Sequence, residues 1–227
     1  MATGEAPLGE RLDAVRTSVT DAARAAGRDP AEITTIVVTK FHPASLVREL
    51  FELGVRDFGE NRNQDAAPKA SELAGFDLTW HFIGQLQSNK VRAVLEYAKF
   101  IHSVDRESLV SAIAASEHPV DVFLQLNLTD DPGRGGVTPA DLEALAEKTL
   151  AVPSIRLRGL MAVAPLGEEP RRAFARVREA SGTLTALDPA ASSLSMGMSG
   201  DYVAAIAEGA THLRIGTAIT GNRPSAG

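Results

Sequence analysis

Strand-like runs and helical runs alternate along this chain without interruption, and a chain of that kind has few folds open to it. The clearest run, ITTIVVTK at 33–40, carries Ile33, Ile36, Val37 and Val38 with no charge between them, the pattern of a strand buried on both faces of a parallel sheet. Further strands are predicted at 56–59, 79–84, 100–104, 120–127, 155–163, 193–196 and 212–215. Helices are predicted at 64–73, 91–98, 106–115, 139–150, 170–187 and 201–208, and Pro43 and Gly54 mark the two ends of another. Ahead of the first strand, Leu8, Leu12, Val15, Val19 and Ala22 form one stripe of an amphipathic helix that ends before Pro30. Eight strands, each with a helical partner, predict an α/β fold: a (β/α)8 TIM-type barrel with an extra N-terminal helix, occupying 1–227 as one domain. The rival is an open doubly wound sheet. It would use fewer strands and a glycine-rich first turn, whereas the first turn here reads KFHP.

In a barrel, ligands gather at the C-terminal ends of the strands, so residues there carry the functional argument. Lys40 closes the first run. Burial at that point would disfavour the ammonium and leave an amine suited to Schiff-base chemistry; a solvated lysine opening a loop is the plainer alternative. Two later segments, LSMGMSGD at 194–201 and RIGTAITG at 214–221, each place glycine and a hydroxyl residue where a strand ends. Gly197 and Gly216 permit close backbone approach, Ser199 and Thr217 offer hydroxyls, and amides at a helix start attract an anion. Ordinary turn and capping chemistry would explain the same residues. Strand one and the last strands become neighbours when a barrel closes, so Lys40 and this cradle together suggest a phosphorylated aldehyde.

Composition removes other classes. A formal charge of −6 argues against a nucleic-acid partner, and the absence of cysteine excludes disulfides, thiolate metal sites and cysteine nucleophiles. The five histidines lack metal-ligand spacing, so no metal is expected, and His81 and His102 are expected to be oriented core or rim groups. No targeting flank or membrane-length apolar stretch is present, which predicts a cytoplasmic protein with no membrane partner; a monomer is expected. The loop 129–139, rich in turn formers, reads as a mobile connection capped by Thr138 or as a flap over a ligand, with Asp130 and Asp131 as turn residues. Arg171, Arg172, Arg176 and Arg178 read as a solvated helix face, Met196 and Met198 as packing residues around Gly197, and Lys90 as the start of a helix.

These residues belong to a longer ordered set: VVTK at 37–40, FGEN at 58–61, WHFIGQLQSNK at 80–90, HSVD at 102–105, GLM at 159–161, SMGMSGD at 195–201 and RIGTAITG at 214–221. The chain thereby resembles the pyridoxal phosphate homeostasis protein family, whose barrel is similar to the N-terminal domain of alanine racemase. The resemblance implies that Lys40 matches the lysine forming a Schiff base with pyridoxal 5'-phosphate. It implies that Ser199, Gly216 and Thr217 surround the phosphate and that Arg214 is directed at the pyridine nitrogen. Asn61, Trp80 and His81 fall in family motifs at the top of the barrel. Thr39 stands where the family often has serine, Thr220 where it has an aromatic, and Arg134, Gly135 and Gly136 where it has a Lys-Ser-Gly-like loop.

What the resemblance implies about activity is intracellular pyridoxal phosphate buffering and delivery to apo-enzymes, with little or no catalysis. An arginine beside the ring nitrogen would donate a hydrogen bond rather than a proton, weakening the ring as an electron sink. Racemases of this fold take a second acid/base from an additional β-rich domain, for which little chain follows the last strand here. The alternatives are a racemase-like pyridoxal enzyme and a sugar-phosphate barrel in which Lys40 attacks the substrate.

Overall fold

The computed structural model describes residues 6–222 except 117 and 130, so Asp130 lies outside the described residues. Eight parallel strands close into one barrel in the order of the chain. They are β1 (Thr34–Val38), β2 (Asp57–Glu60), β3 (Thr79–Phe82), β4 (Ala98–Val104), β5 (Val120–Gln125), β6 (Ile155–Met161), β7 (Ser193–Ser195) and β8 (His212–Ile215). The helices are α1 (Leu8–Ala25), α2 (Ala44–Glu52), α3 (Asn63–Glu72), α4 (Val91–Leu95), α5 (Glu107–Ala114), α6 (Leu142–Leu150), α7 (Pro170–Leu187), α8 (Tyr202–Ala207) and the single turn α9 (Thr217–Thr220). Closure is made by β1 and β8, which pair from Thr34 opposite His212 to Val37 opposite Ile215. No helix of the described residues is long and apolar enough to cross a membrane.

Alternation along each strand divides the buried residues into two sets. Val37, Phe58, Trp80, Ile101, Val122, Leu160, Leu194 and Leu213 belong to the apolar layer between strands and helices, together with Val47, Leu50, Val94, Ile113, Phe174 and Ile206 from the helices. The other set faces the barrel axis and is unusual. Aliphatic side chains commonly fill such interiors, but here His81 stacks on Phe100 at 4.5 Å, His102 stacks on Phe123 at 4.5 Å, and His212 meets Phe123 edge-on at 5.0 Å. The expected stripe of α1 is buried at Leu8, Leu12, Val15 and Val19, with Ala23 rather than Ala22 completing it. Arg11 Nε donates to the Ile219 carbonyl at 2.7 Å and Tyr202 donates to Ser18 Oγ at 2.8 Å, which fastens α1 across α9 and α8.

The element ends depart from the sequence expectation where side chains take over the ladder. β1 stops at Val38, two residues short of Lys40, because the Thr39 carbonyl accepts from Lys69 Nζ and the His42 amide instead of from a neighbouring strand. β5 stops at Gln125, and loop 129–139 is strapped back by a parallel bridge between Leu126 and Val137 and by the Gly136 amide donating to Asp105 at 3.2 Å. Thr138 closes the turn that leads into α6, exchanging hydrogen bonds with Asp141, the residue at the helix N-cap. The arginines of α7 lie on an exposed face, as expected, and three of them also pair: Arg171 and Arg178 both reach the buried Glu208 that follows α8, and Arg176 reaches Glu168. Lys90 ends a short 3-10 turn, Ser88–Lys90, and α4 starts one residue later.

Three histidines inside a barrel make a pH dependence. Burial holds His81, His102 and His212 below the ordinary histidine value; Asp57 opposes the shift at His81, and neighbouring His81 adds to it at His102 and His212. Such a group binds its proton more readily when unfolded, so its stabilisation is present above about pH 6.5 and is lost as pH falls toward the folded value. His212, pushed down to about 4, should alone remove on the order of 3 kcal/mol between pH 7 and pH 4. Urea midpoints measured across that range should fall steadily with acidification; a flat profile would show that the interior rings are not held neutral.

Candidate functional site

Thr39 is the residue the site is built from. Fully buried, it has each polar group engaged: its amide donates to the Gly59 carbonyl at 3.1 Å, its hydroxyl donates to Glu60 Oε1 at 2.8 Å, and its carbonyl accepts from Lys69 Nζ at 2.9 Å. Lys69 Nζ also lies 2.7 Å from Glu60 Oε1, a buried ion pair that ties the end of β2 to α3. A buried pair of this kind is costly to break because it leaves one charge uncompensated. Its effect here is positional, since it clamps the residue immediately before Lys40.

Lys40 itself projects from the turn after β1. It is half-buried rather than buried, and it has no hydrogen-bonding or ionic partner among the described residues. The next residue, Phe41, has φ of +70°, the left-handed region that bulky side chains rarely adopt, and the Arg62 guanidinium lies 5.6 Å from its ring. Lys69 reaches this turn electrostatically as well. The pKa of His42 is lowered by burial and then by Lys69 and Arg11.

Asn61 follows β2 beside this turn, and its side-chain oxygen is buried without a partner among the described residues. Its backbone is held by the close passage of Gly84, where an added Cβ would stand 2.1 Å from the Asn61 carbonyl oxygen; no other residue fits that position in the HFIGQLQ motif. Trp80, by contrast, is turned away from the barrel axis and packs on Phe58 with ring centroids 5.9 Å apart, so the motif's indole serves the strand–helix layer rather than the site.

The second half of the site comes from β7 and β8. Gly197, at φ +95°, turns the chain out of β7 so tightly that a Cβ there would sit 2.7 Å from that of Ala205. That turn buries Met196 fully but leaves Met198 38% exposed, so only the first of the two methionines packs. Ser199 Oγ accepts from the Ala218 amide at 3.3 Å, which brings Ser199 to the start of α9 beside Gly216 and Thr217. Gly216 has φ of −109°, and an added Cβ would make only ordinary contact, 3.6 Å, with Val38 of β1. That contact leaves space beside the backbone of Gly216. The same contact sets the cradle beside the end of β1, two residues before Lys40.

Arg214 is fully enclosed below this rim. Nη1 donates to Ser195 Oγ and to the Ser195 carbonyl, both at 2.7 Å, and Nη2 donates to the Ala162 carbonyl at 2.9 Å. Burial lowers its pKa to about 10, which still leaves it protonated at neutral pH. The candidate residues thus include an amine and a buried amide oxygen without partners among the described residues, a glycine with room beside it and an enclosed cation. That donor set fits an aldehyde-bearing aromatic phosphate. Sequence reasoning brought together Lys40, Asn61, Ser199, Arg214, Gly216 and Thr217, and it missed Glu60 and Lys69, although both stand in or near the FGEN motif.

Comparison with known proteins identifies the fold and the family. The family model described as alanine racemase, N-terminal domain, matches residues 11–224. The pyridoxal phosphate homeostasis protein of Pseudomonas aeruginosa is 45% identical over 223 residues, covering 95% of this chain and 96% of that protein. PipY of Synechococcus elongatus PCC7942, solved with PLP bound, is 38% identical with a TM-score of 0.82, covering 95% of this chain and 100% of that one. Alanine racemase from Corynebacterium glutamicum, 16% identical with a TM-score of 0.72, shares the fold, and this chain covers 62% of it. The chain belongs to the alanine racemase N-terminal domain family and, within it, to the pyridoxal phosphate homeostasis proteins.

Proposed function

We propose that this protein is a pyridoxal 5'-phosphate carrier that holds the cofactor through Lys40 and buffers or delivers it to apo-enzymes, with little or no catalysis of its own. The observation that carries the reading is the amine of Lys40, half-buried and without a partner among the described residues, in the turn that follows Val38, the residue facing Gly216. When bound, the cofactor supplies an aldehyde to the lysine and an electron-accepting ring. The chain's residues do the rest. Ser199, Thr217 and the backbone at Gly216 would hold the phosphate, and Asn61 would satisfy its orphaned oxygen against the ligand. Arg214, a donor only, would meet the ring nitrogen with a hydrogen bond and leave it without a proton of its own.

The proton inventory favours a carrier over a racemase. A racemase needs a second acid/base on the face opposite the lysine, and this chain has two tyrosines. Tyr202 spends its hydroxyl on Ser18 of α1. The Tyr97 hydroxyl is buried in the turn before β4, with its pKa raised by burial and by Glu60, so it is a poor acid. The reading as a sugar-phosphate barrel loses ground to the enclosed Arg214, a group suited to a ring nitrogen.

The purified protein should be yellow, and borohydride reduction followed by peptide mapping should place the pyridoxyl group on Lys40. Label on Lys69 or Lys90 with Lys40 unmodified would reassign the site. Replacing Ser199 and Thr217 by alanine should weaken pyridoxal phosphate binding by roughly 1.5–3 kcal/mol per lost charge-assisted hydrogen bond, while binding of unphosphorylated pyridoxal stays near its original strength. Equal losses for the two ligands would remove the phosphate role. Finally, amino acids incubated with the loaded protein in deuterium oxide should keep their α-protons and their chirality. Turnover at roughly 1–10³ s⁻¹ would make the protein an enzyme instead, and the Arg214→Glu variant, if it still binds cofactor, should raise any residual exchange.

A further inference from the structure

The interior histidines form part of a continuous line of hydrogen bonds that the carrier reading does not use. Asp57 Oδ1 lies 3.0 Å from His81 Nε2, His81 Nδ1 lies 3.0 Å from His102 Nε2, and His102 Nδ1 lies 2.8 Å from Ser195 Oγ, which in turn accepts from Arg214 Nη1 at 2.7 Å. The line crosses the barrel through β2, β3, β4, β7 and β8. One end is the Asp57 side chain, 31% exposed at the entry to β2; the other is the guanidinium of the site.

The two ends decide where every proton sits. Arg214 can only donate and an ionised carboxylate can only accept. Ser195 Oγ, accepting from Arg214, has one hydrogen left, and the acceptor within reach among the described residues is His102 Nδ1. His102 then carries its hydrogen on Nε2 and donates to His81 Nδ1, and His81 carries its hydrogen on Nε2 and donates to Asp57. The opposite arrangement would set a bare His81 nitrogen against the carboxylate at 3.0 Å and leave the buried Ser195 hydrogen without an acceptor. Four contacts, one proton in each, permit one direction: Arg214 to Ser195 to His102 to His81 to Asp57. Both rings are neutral in this arrangement, in keeping with their burial, and aligned bonds of this kind polarise and strengthen one another.

We infer that Asp57, His81, His102 and Ser195 are positioning residues for Arg214: the chain keeps the Ser195 lone pair turned toward the guanidinium and so fixes the group that meets the cofactor's ring nitrogen. The inference rests on the carrier reading and goes beyond it, because it makes cofactor affinity and ring electronics depend on a residue at the opposite end of the barrel. Without His102 as acceptor, the Ser195 hydroxyl is free to rotate and present its hydrogen toward Arg214, and the guanidinium loses one of its three anchors.

The test uses the full-length protein loaded with pyridoxal phosphate. Nitrogen-15 NMR of the histidine rings, assigned with His81→Gln and His102→Gln, should find both neutral and protonated on Nε2 at pH 7; a δ-protonated or cationic ring at either position overturns the direction derived above. His102→Phe should move the visible absorption band of the bound cofactor and raise its dissociation constant about tenfold, the scale of one hydrogen bond. In His102→Gln the side-chain oxygen can accept from Ser195 and the amide can donate to His81, so the band and affinity should return toward those of the unmodified protein. Asp57→Ala, at a partly exposed position, should shift the same two readouts in the same sense by a smaller factor. A purely structural role would lower melting temperatures while leaving band and affinity unchanged, and that result sinks the inference alone. A colourless unmodified protein would sink the carrier reading and this inference with it.

Discussion

A closed parallel barrel has no edge strand, and everything else in this molecule follows from that closure. With every backbone group committed to a neighbour, each strand must bury side chains on both faces, and the inward set has to fill a fixed volume. Here that volume holds imidazoles and phenyl rings where aliphatic side chains would be usual. The polar atoms from Asp57 to Arg214 are tolerable there because they are strung in a line with donors and acceptors matched, and an unmatched member would carry a desolvation penalty. The same line ties together strands that are not neighbours, such as β4 and β7 through His102 and Ser195.

Outside the barrel, a second polar group plays the complementary part. Glu60, Lys69 and Thr39 sit between strands and helices, where the apolar layer would otherwise be continuous. Replacement by well-packed apolar residues would cost little in stability by general expectation. What the trio gives instead is a fixed departure point for the chain after β1. Glu60 keeps one oxygen buried without a partner among the described residues, as does the Tyr97 hydroxyl whose pKa Glu60 helps to raise. The layer that supports the reactive turn is therefore more polar than its surroundings on two sides.

Local pattern was enough to find the strands and most helices, because burial on both faces writes itself as unbroken runs such as IVV at 36–38. Lys40, Ser199, Gly216 and Thr217 could be brought together on paper because barrel closure makes the first and last strands neighbours. The polar chain could not. His81 and His102 are 21 residues apart and His102 and Ser195 are 93 apart, and only the three-dimensional register aligns their ring nitrogens. Ligand-spacing rules look along one helix and pass over such a set. The arginines of α7 form the exposed face expected of them, but the partner of Arg171 and Arg178, Glu208, follows a different helix and was out of reach of the same local pattern. Met198 was misread because the turn at Gly197 reverses which way the next side chain faces.

Phe41 holds a backbone conformation that costs roughly 1–3 kcal/mol for a residue with a side chain. That energy is stored one residue from Lys40. Selection for thermal stability alone would remove it, most simply by glycine, and the relaxed turn would leave the lysine free to sample many directions. A thermostabilised version of this protein obtained without regard to its ligand would therefore be expected to melt later and to bind less, the loss arising from the backbone next to the lysine rather than from the lysine itself.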